Sequence, residues 1–498
     1  MKFIARFLYV PLAGLLVLTS CAKEETESYD KFENQALEAW MTQHRSDLVE
    51  NLQSEGLYYI DLLDAGDLAS DPINTEDIWV SFDFSGRDLS GNIILTRNAD
   101  DAVLAGSFSK YTHYVPFYRY CGSENSGLME GTWLAMRRTL TLGDTYFRNN
   151  KDRLGITSPE VTLRYGSKIR LYMPSSVVGN GVEGTGGYEG QEGYSLSSKR
   201  PFIVTMEIRD TVSNPLEREG TDVDDFCELN GGLQIYSKGD DDTPATEVPE
   251  DPEDPEHPYS ETSKRWVSAC DSIPQVYVNV RYNPAEPGDQ LSFPAPYHVG
   301  YEPYVSEASV RDIDMQIAEA LKKRFHGEGD DYEKYEGVKT LEADSVTLEG
   351  TAKIWYIGRF LDGFIFDTNI DEVKKIIYGE VAQTGTALEY TPSSGGMIQA
   401  FYYAIPNLKF GQWAELITTS TNAYGSSGKS GSSSYYGSGG YYGGYYGGYY
   451  GSYYGGYYDS MYGSGYDSSS TGTTVTTITT EIPSFTPLIF QLYIEPED

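Results

Sequence analysis

Few side chains in this sequence are arranged for covalent chemistry. Its five histidines, His44, His113, His257, His298 and His326, lie scattered without metal-ligand spacing, so no zinc site is expected. No Cys-His or Ser-His-Asp arrangement can be recognised either. The groups that stand out are aromatic. Tyr356, Phe360, Phe364 and Phe366 crowd one stretch that ends in the carboxylate of Asp367, and Phe401, Tyr424 and Phe490 follow. Such a set offers no nucleophile. It offers apolar surface, phenol hydroxyls and one carboxylate, which suits binding and non-covalent catalysis. Taken singly, aromatics on alternating strand positions are usually core, and an Asp after a strand usually caps a turn.

The elements that carry these residues can be read from the pattern around them. Ile354 to Phe360 reads as a strand, Asp362-Gly363 as a tight turn, and a second strand ends in Phe366-Asp367. Asp-Gly between two apolar runs is a strong hairpin signal, because glycine tolerates positive φ. Met397-Ile398-Gln399-Ala400-Phe401 begins a short helical stretch. Leu408 to Leu416 (Leu-Lys-Phe-Gly-Gln-Trp-Ala-Glu-Leu) turns into a strand, Asn422-Ala423-Tyr424-Gly425 follows, and Ile482-Pro483-Ser484-Phe485-Thr486-Pro487-Leu488-Ile489-Phe490 comes near the end.

In this order the segments resemble the FKBP-type peptidyl-prolyl cis-trans isomerases, whose pattern is Y-x-G-x-L-x-D-G-x-x-F-D, then V-I-x-G-W, G-x-x-A-x-L, A-Y-G and I-P-P-x-x-x-L-x-F. The resemblance covers roughly 340 to 498, and from Gln399 to Gly425 it needs no gap. It implies an α+β fold, an antiparallel sheet wrapped on a short helix, and rotation about X-Pro bonds in proline-containing polypeptides, without a cofactor. It also implies roles. Tyr356, Phe366, Phe401 and Phe490 would line a prolyl-ring pocket, with Asp367 at its edge. The Ile398 backbone N–H and the Tyr424 hydroxyl would hold substrate carbonyls. The sequence departs from the pattern at Phe401 (usually Trp), Gln399-Ala400 (usually a residue-Gly pair) and Ser484 (usually a second proline).

A second, degenerate resemblance spans 57–212. Trp79 to Gly91 matches the strand and turn, Leu128-Met129-Glu130-Gly131 the start of the helix, Tyr165 to Ser175 the next strand, and Phe202 to Ile208 closes it. Where the family carries Tyr, Phe-Asp, Trp and Tyr, this copy has Phe84, Ile94-Leu95, Thr132 and Val178, with Trp133 one place late. Insertions at 97–126 and 140–164 interrupt it. The expectation is a fold kept without the isomerase site.

The remaining segments set the context. Residues 1–21 read as a targeting segment: Lys2 and Arg6, an apolar run from Phe7 to Leu18, then Leu18-Thr19-Ser20-Cys21, which resembles a bacterial lipoprotein box. This implies lipidation at Cys21, with several acyl chains anchoring the chain to a membrane. Ala22-Lys23-Glu24-Glu25-Thr26-Glu27 resembles the acidic tag of surface-exported lipoproteins of the Bacteroidota, which implies an outer-membrane, surface-exposed location. Residues 22–56 form a tether and an amphipathic helix from Glu33 to Leu52, with Leu37, Trp40, Met41, Leu48 and Leu52 on one face. That face is expected to pack on the next domain.

Residues 213–258 are expected to be an acidic, proline-rich linker, and 259–337 an N-terminal elaboration of the isomerase-like domain at 338–498. Strand character at Gln275–Val280 and helices at Ser309–Phe325 and Thr368–Tyr378 follow from periodicity. Residues 426–473 are low complexity, with Tyr-Tyr pairs every four residues from Tyr441 to Tyr458. Cys121, Cys227 and Cys270 allow at most one intrachain disulfide, with Cys227–Cys270 the favoured pair. The formal charge of −37 argues against a nucleic-acid partner, since phosphate binding needs clustered Lys and Arg.

Two functions follow. One is a lipid-anchored isomerase or folding helper of the cell envelope. The other is a non-catalytic FKBP-fold binding module of the cell surface that uses the tyrosine-rich arm.

Overall fold

The computed structural model describes residues 29–495, apart from 179–199, 235–265, 283–292, 327–345, 437–474 and short breaks of one to three residues. The targeting segment with Cys21, most of the expected linker and most of the Tyr/Gly-rich insertion lie outside the described residues. The architecture is α+β, built on two mainly antiparallel sheets.

The first sheet follows helix α1 (Tyr29–His44). Its strands are β1 (Leu52–Gln53), β2 (Tyr58–Ala65), β3 (Ile78–Asp88), β4 (Ile93–Thr96), β5 (Phe117–Cys121), β8 (Ser167–Met173) and β9 (Phe202–Val212). Helix α2 (Ala99–Ala105) follows β4, and α3 (Glu130–Arg137) packs Leu134 and Met136 into the core. Strands β6 (Leu140–Thr141) and β7 (Glu160–Val161) form a small separate pair flanking α4 (Asp144–Leu154). Helix α5 (Pro215–Leu229) leads to the second sheet. Its strands are β10 (Leu233–Gln234), β11 (Trp266–Ser268), β12 (Val276–Tyr282), β13 (Ala352–Arg359), β14 (Ile365–Thr368), β15 (Leu388–Tyr390), β16 (Trp413–Thr418) and β19 (Leu488–Ile494). Helices α6 (Glu307–His326), α7 (Asp371–Tyr378) and α8 (Gln399–Ala404) pack on it, and β17 (Ser432–Tyr436) pairs with β18 (Val475–Thr479) at the base of the Tyr/Gly-rich insertion.

The two sheets repeat one topology. The first contains the order β2-β8-β9-β3-β4, with β5 also on β3. The second contains β12-β16-β19-β13-β14, with β15 also on β13. Even the irregularity in the hairpin recurs, at Gly86/Arg87 in one and Gly358/Arg359 in the other. This register sets Phe84 against Tyr356, Ile94-Leu95 against Phe366-Asp367, and Val204 against Phe490, because Gly86 faces Val204 where Gly358 faces Phe490.

Each sheet buries its own apolar core. In the second, β13 sends Ile354 and Tyr356 toward α8 and sends Trp355 and Ile357 to the other face, as the two-residue period of a strand requires. That other face is covered by Ile317, Leu321 and Phe325 of α6 and Val373 of α7.

Several expectations need correction. Helix α1 ends at His44 rather than Leu52, and a 3-10 segment over Ser46–Asn51 follows. Arg45 adopts a non-helical φ of −139° there and pairs with Asp47 and Asp61, while Leu52 is exposed in β1. Leu37, Met41 and Leu48 do pack into the first core. The part of the expected linker at 215–229 is α5, whose Val223, Phe226 and Cys227 pack against Trp266, Ile417 and Ile489. Pro215 stands at its first turn, where a missing N–H costs nothing. The expected elaboration at 259–337 supplies β12, an interior strand of the second sheet. No disulfide joins Cys227 to Cys270; Cys227 lies in the apolar layer under α5.

Candidate functional site

The Asp362-Gly363 turn is tight. Gly363 has φ +89°, its N–H donates to the Phe360 carbonyl (3.0 Å), and the Phe360 N–H donates to the Phe364 carbonyl (2.9 Å). The turn sets β14 beside β13 and brings the Phe366 ring against Gly358. A Cβ at Gly358 would stand 2.6 Å from the Phe366 ring, so that position demands glycine. Phe490 of β19 meets Phe366 edge-on at 5.7 Å, and Phe401 of α8 meets Phe490 edge-on at 5.0 Å. Tyr356 tilts against Phe490 at 6.4 Å. The geometry suits ring quadrupoles, which prefer edge-to-face contact.

Phe366, Phe401 and Phe490 are 3–5 % exposed and form the floor of this cluster. Tyr356, Asp367, Ile398 and Tyr424 are half-buried and form its rim. The seven residues singled out from the sequence are thus assembled in one place: the apolar members share a single packed cluster, and Asp367 is tied to Tyr356. The Tyr356 hydroxyl donates to Asp367 Oδ2 at 2.9 Å. Burial, together with the Asp367 carboxylate, pushes the Tyr356 phenol well above its ordinary range, and the same causes raise that of Tyr424. Both hydroxyls therefore remain protonated donors at neutral pH. Lys429 lies 5.4 Å from the centre of the Tyr424 ring.

Three supporting residues carry no signal in a reading for motifs. Asn369 replaces the missing ladder beyond β14: its Oδ1 accepts from the Tyr356 N–H (2.7 Å), and its Nδ2 donates to the carbonyls of Ile354 and Thr386 (3.0 Å each). The Thr368 hydroxyl donates to the Tyr356 carbonyl (2.7 Å). These bonds hold Tyr356 in place, and they explain why α7 starts at Asp371 and not at Thr368. On the far side, Glu219 of α5 accepts hydrogen bonds from the Ser420 N–H and from its hydroxyl (2.7 Å), fixing the turn four residues before Tyr424. Desolvation raises the Glu219 carboxyl to about 7.

The insertion at 97–126 reaches from the first half to this neighbourhood. Tyr111 stacks on Tyr378 at 4.2 Å, and its carbonyl accepts from the Thr480 hydroxyl (2.8 Å). His113 is buried, stacks on Phe360 at 4.3 Å and meets Asp362 at 2.6 Å in the hairpin turn. Arg97 pairs with Glu481.

The corresponding region of the first sheet is built differently. A Cβ at Gly86 would meet the ring of Phe202, not a ring from the hairpin. Thr132 is buried with its hydroxyl donating to the Met129 carbonyl, and the Trp133 indole N–H donates to the Gly122 carbonyl. Neither side chain offers what Phe401 offers in the second sheet.

No family model and no curated protein matches the sequence. Solved structures that resemble the chain include the three FKBP domains of wheat FKBP73, at 11 % identity over 89 % of this chain and 95 % of that one, with a TM-score of 0.18. A peptidyl-prolyl cis-trans isomerase from Pseudomonas syringae is 16 % identical over 38 % of this chain and 99 % of its own, with a TM-score of 0.22. FkpA from Escherichia coli is 11 % identical over 42 % and 72 %, also with a TM-score of 0.22. These are distant likenesses, and the functional reading rests on the geometry of the site.

Proposed function

We propose that the second half of the chain is an FKBP-type peptidyl-prolyl cis-trans isomerase or folding helper. The observation that carries this reading is the Tyr356–Asp367 hydrogen bond at the rim of the Phe366–Phe490–Phe401 cluster, with Tyr424 beside it. Turning an X-Pro bond means rotating a tertiary amide through a barrier of roughly 20 kcal/mol between ground states about 1 kcal/mol apart. No bond breaks, so no nucleophile or metal is needed. The twisted amide loses resonance and becomes less polar across its C–N bond, so water stabilises it less well than it does the planar form. A dry aromatic floor of Phe366, Phe401 and Phe490 would receive the prolyl ring. The Ile398 N–H and the Tyr424 hydroxyl would hold the flanking carbonyls, and Asp367, oriented by Tyr356, would sit at the twisting amide. The test is cis-trans exchange in a short X-Pro peptide, followed by NMR with catalytic amounts of the chain. Exchange no faster than in buffer removes the isomerase reading.

The same proposal places the protein in the cell envelope, anchored through lipid on Cys21. What supports it is the sequence pattern before Cys21. Among the described residues, no helix is long and apolar enough to cross a membrane. Cys21→Ser should release the protein from the membrane fraction, and unchanged fractionation would refute the anchor.

A further inference from the structure

The two sheets close their hairpins with the same turn but brace it in different ways. In the first, Gly91 has φ +89°, its N–H donates to the Asp88 carbonyl (3.0 Å), and the Asp88 N–H donates to the Asn92 carbonyl (3.0 Å). Those bonds repeat the ones at Gly363, Phe360 and Phe364. The Asp88 carboxylate then ties its turn together, accepting from the N–H groups of Ser90 (2.8 Å) and Asn92 (2.9 Å) and from Asn92 Nδ2 (2.8 Å). The second turn has Phe360 at that place, which can make no such bonds. Its own carboxylate, Asp362, makes one bond inside the turn, from the Phe364 N–H (3.1 Å). It also accepts from the Tyr301 hydroxyl (3.1 Å), and it draws a further partner, His113, from the first half of the chain.

His113 braces the turn through both its polar edge and its ring face. Its Nε2 lies 2.6 Å from Asp362 Oδ2, and the two side chains are 6 % and 5 % exposed. A carboxylate buried that deeply needs such a partner. Its ring lies flat on Phe360, at 4.3 Å and 7°, and tilts against Phe364 at 4.7 Å. Phe360 in turn meets Phe366 at 5.1 Å, and Asp367 is the next residue. Close packing transmits a displacement along such a row of rings.

The first half also grips the other flank of the aromatic cluster. Arg97 pairs with Glu481 at 3.2 Å, the Tyr111 carbonyl accepts from the Thr480 hydroxyl, and Trp79 meets Phe485 edge-on at 4.7 Å. Between them, Ile482 packs into the cluster's core. Tyr111 stacks on Tyr378 at the end of α7, and burial and the Asp367 carboxylate together push the Tyr378 phenol up.

We infer that the first half of the chain positions the candidate site of the second: His113 is a positioning residue that clamps the hairpin turn and, through Phe360, sets Phe366 and Asp367, while Tyr111 holds the end of α7. The inference rests on the isomerase reading and gives the half without the aromatic pocket a role in the same reaction.

The test compares two amide variants of the full chain that differ in reach. His113→Gln keeps an N–H donor about where the imidazole Nε2 stands, and His113→Asn is one carbon too short to reach Asp362. With urea curves confirming that both are folded, kcat/KM for a short X-Pro peptide should stay near native for Gln and fall about tenfold to hundredfold for Asn, the scale of a small misplacement of reacting groups. Equal kcat/KM in the two folded variants overturns the inference. If His113→Asn does not fold, Tyr111→Ala, which removes a half-buried side chain, decides: its kcat/KM should fall, and a native value overturns the inference. Amide hydrogen exchange reads the brace without reference to activity. The Phe360 and Gly363 amides should exchange faster in the Asn variant than in the Gln variant, and equal rates overturn the clamp even in a chain that does not catalyse. A native chain that fails to accelerate exchange of the peptide removes the isomerase reading, a result distinct from either of these.

Discussion

The Tyr356–Asp367 hydrogen bond should be measurable as a coupling energy. A hydrogen bond to a charged group contributes about 1.5–3 kcal/mol, and half-exposure of both partners moves the expectation to the lower part of that range. Tyr356→Phe removes only the hydroxyl and keeps the ring against Phe490. Asp367→Ala removes the acceptor. Across the two single variants and the double variant, urea unfolding should give a coupling of about 1.5–2 kcal/mol, because the second change costs nothing once the first has broken the bond. The same cycle should appear in kcat/KM for an X-Pro peptide. Tyr356→Phe leaves the carboxylate present but misoriented and should lower kcat/KM by up to about tenfold, or about 1.4 kcal/mol. Asp367→Ala should lower it further, and the double variant no further than Asp367→Ala. Strict additivity, within about 0.3 kcal/mol in both quantities, would show that the bond positions nothing.

Three other outcomes are expected. Phe401→Ala should cost about 3–5 kcal/mol of stability, so the milder Phe401→Leu is the variant to assay, and its turnover should fall while it stays folded by circular dichroism. Tyr424→Phe should lower turnover only modestly, by about 0.5–1.5 kcal/mol in activation free energy, since one hydrogen bond to a neutral carbonyl is lost. The Glu219 carboxyl is held at about 7 in the fold against an ordinary 4.5, so the folded state binds more protons between those values. Stability should therefore fall as pH rises from about 4.5 to 7 and level off above, by up to about 3 kcal/mol for this group. Urea midpoints should trace that slope, and Glu219→Gln should flatten it; a native slope equal to that of the variant would refute the assignment.

The hairpin was legible because its signal is local: alternating apolar residues around Asp-Gly dictate a strand, a turn and a strand, and the structure has them within one or two residues. The short helix read from Met397 and the strand read within Leu408–Leu416 were legible for the same reason, and the structure has them at Gln399–Ala404 and Trp413–Thr418. What escaped sequence reading depends on contacts between distant segments. The acidic, proline-started stretch at 215–229 looked like linker because its apolar face is narrow. It becomes a helix by burying Val223, Phe226 and Cys227 on residues from β11, β16 and β19. Asn369 and Glu219 look like ordinary polar residues, and their roles appear only when the Tyr356 backbone and the Ser420 turn arrive beside them. The replacement of Phe490 by Val204 in the first sheet likewise needs strand register, which the pairing of Gly86 with Val204 provides. Likewise, the His113–Asp362 contact joins residues 249 positions apart, a distance over which no local pattern gives warning.

The most direct test of the central claim compares the two sheets in one intact chain. Cis-trans exchange of an X-Pro peptide should be accelerated by the native chain and lost with Asp367→Ala. It should be unaffected by Leu95→Ala, the change at the matching register position of the first sheet. Acceleration that survives Asp367→Ala, or that falls equally with Leu95→Ala in a folded chain, would contradict the assignment of catalysis to the Tyr356–Asp367 site.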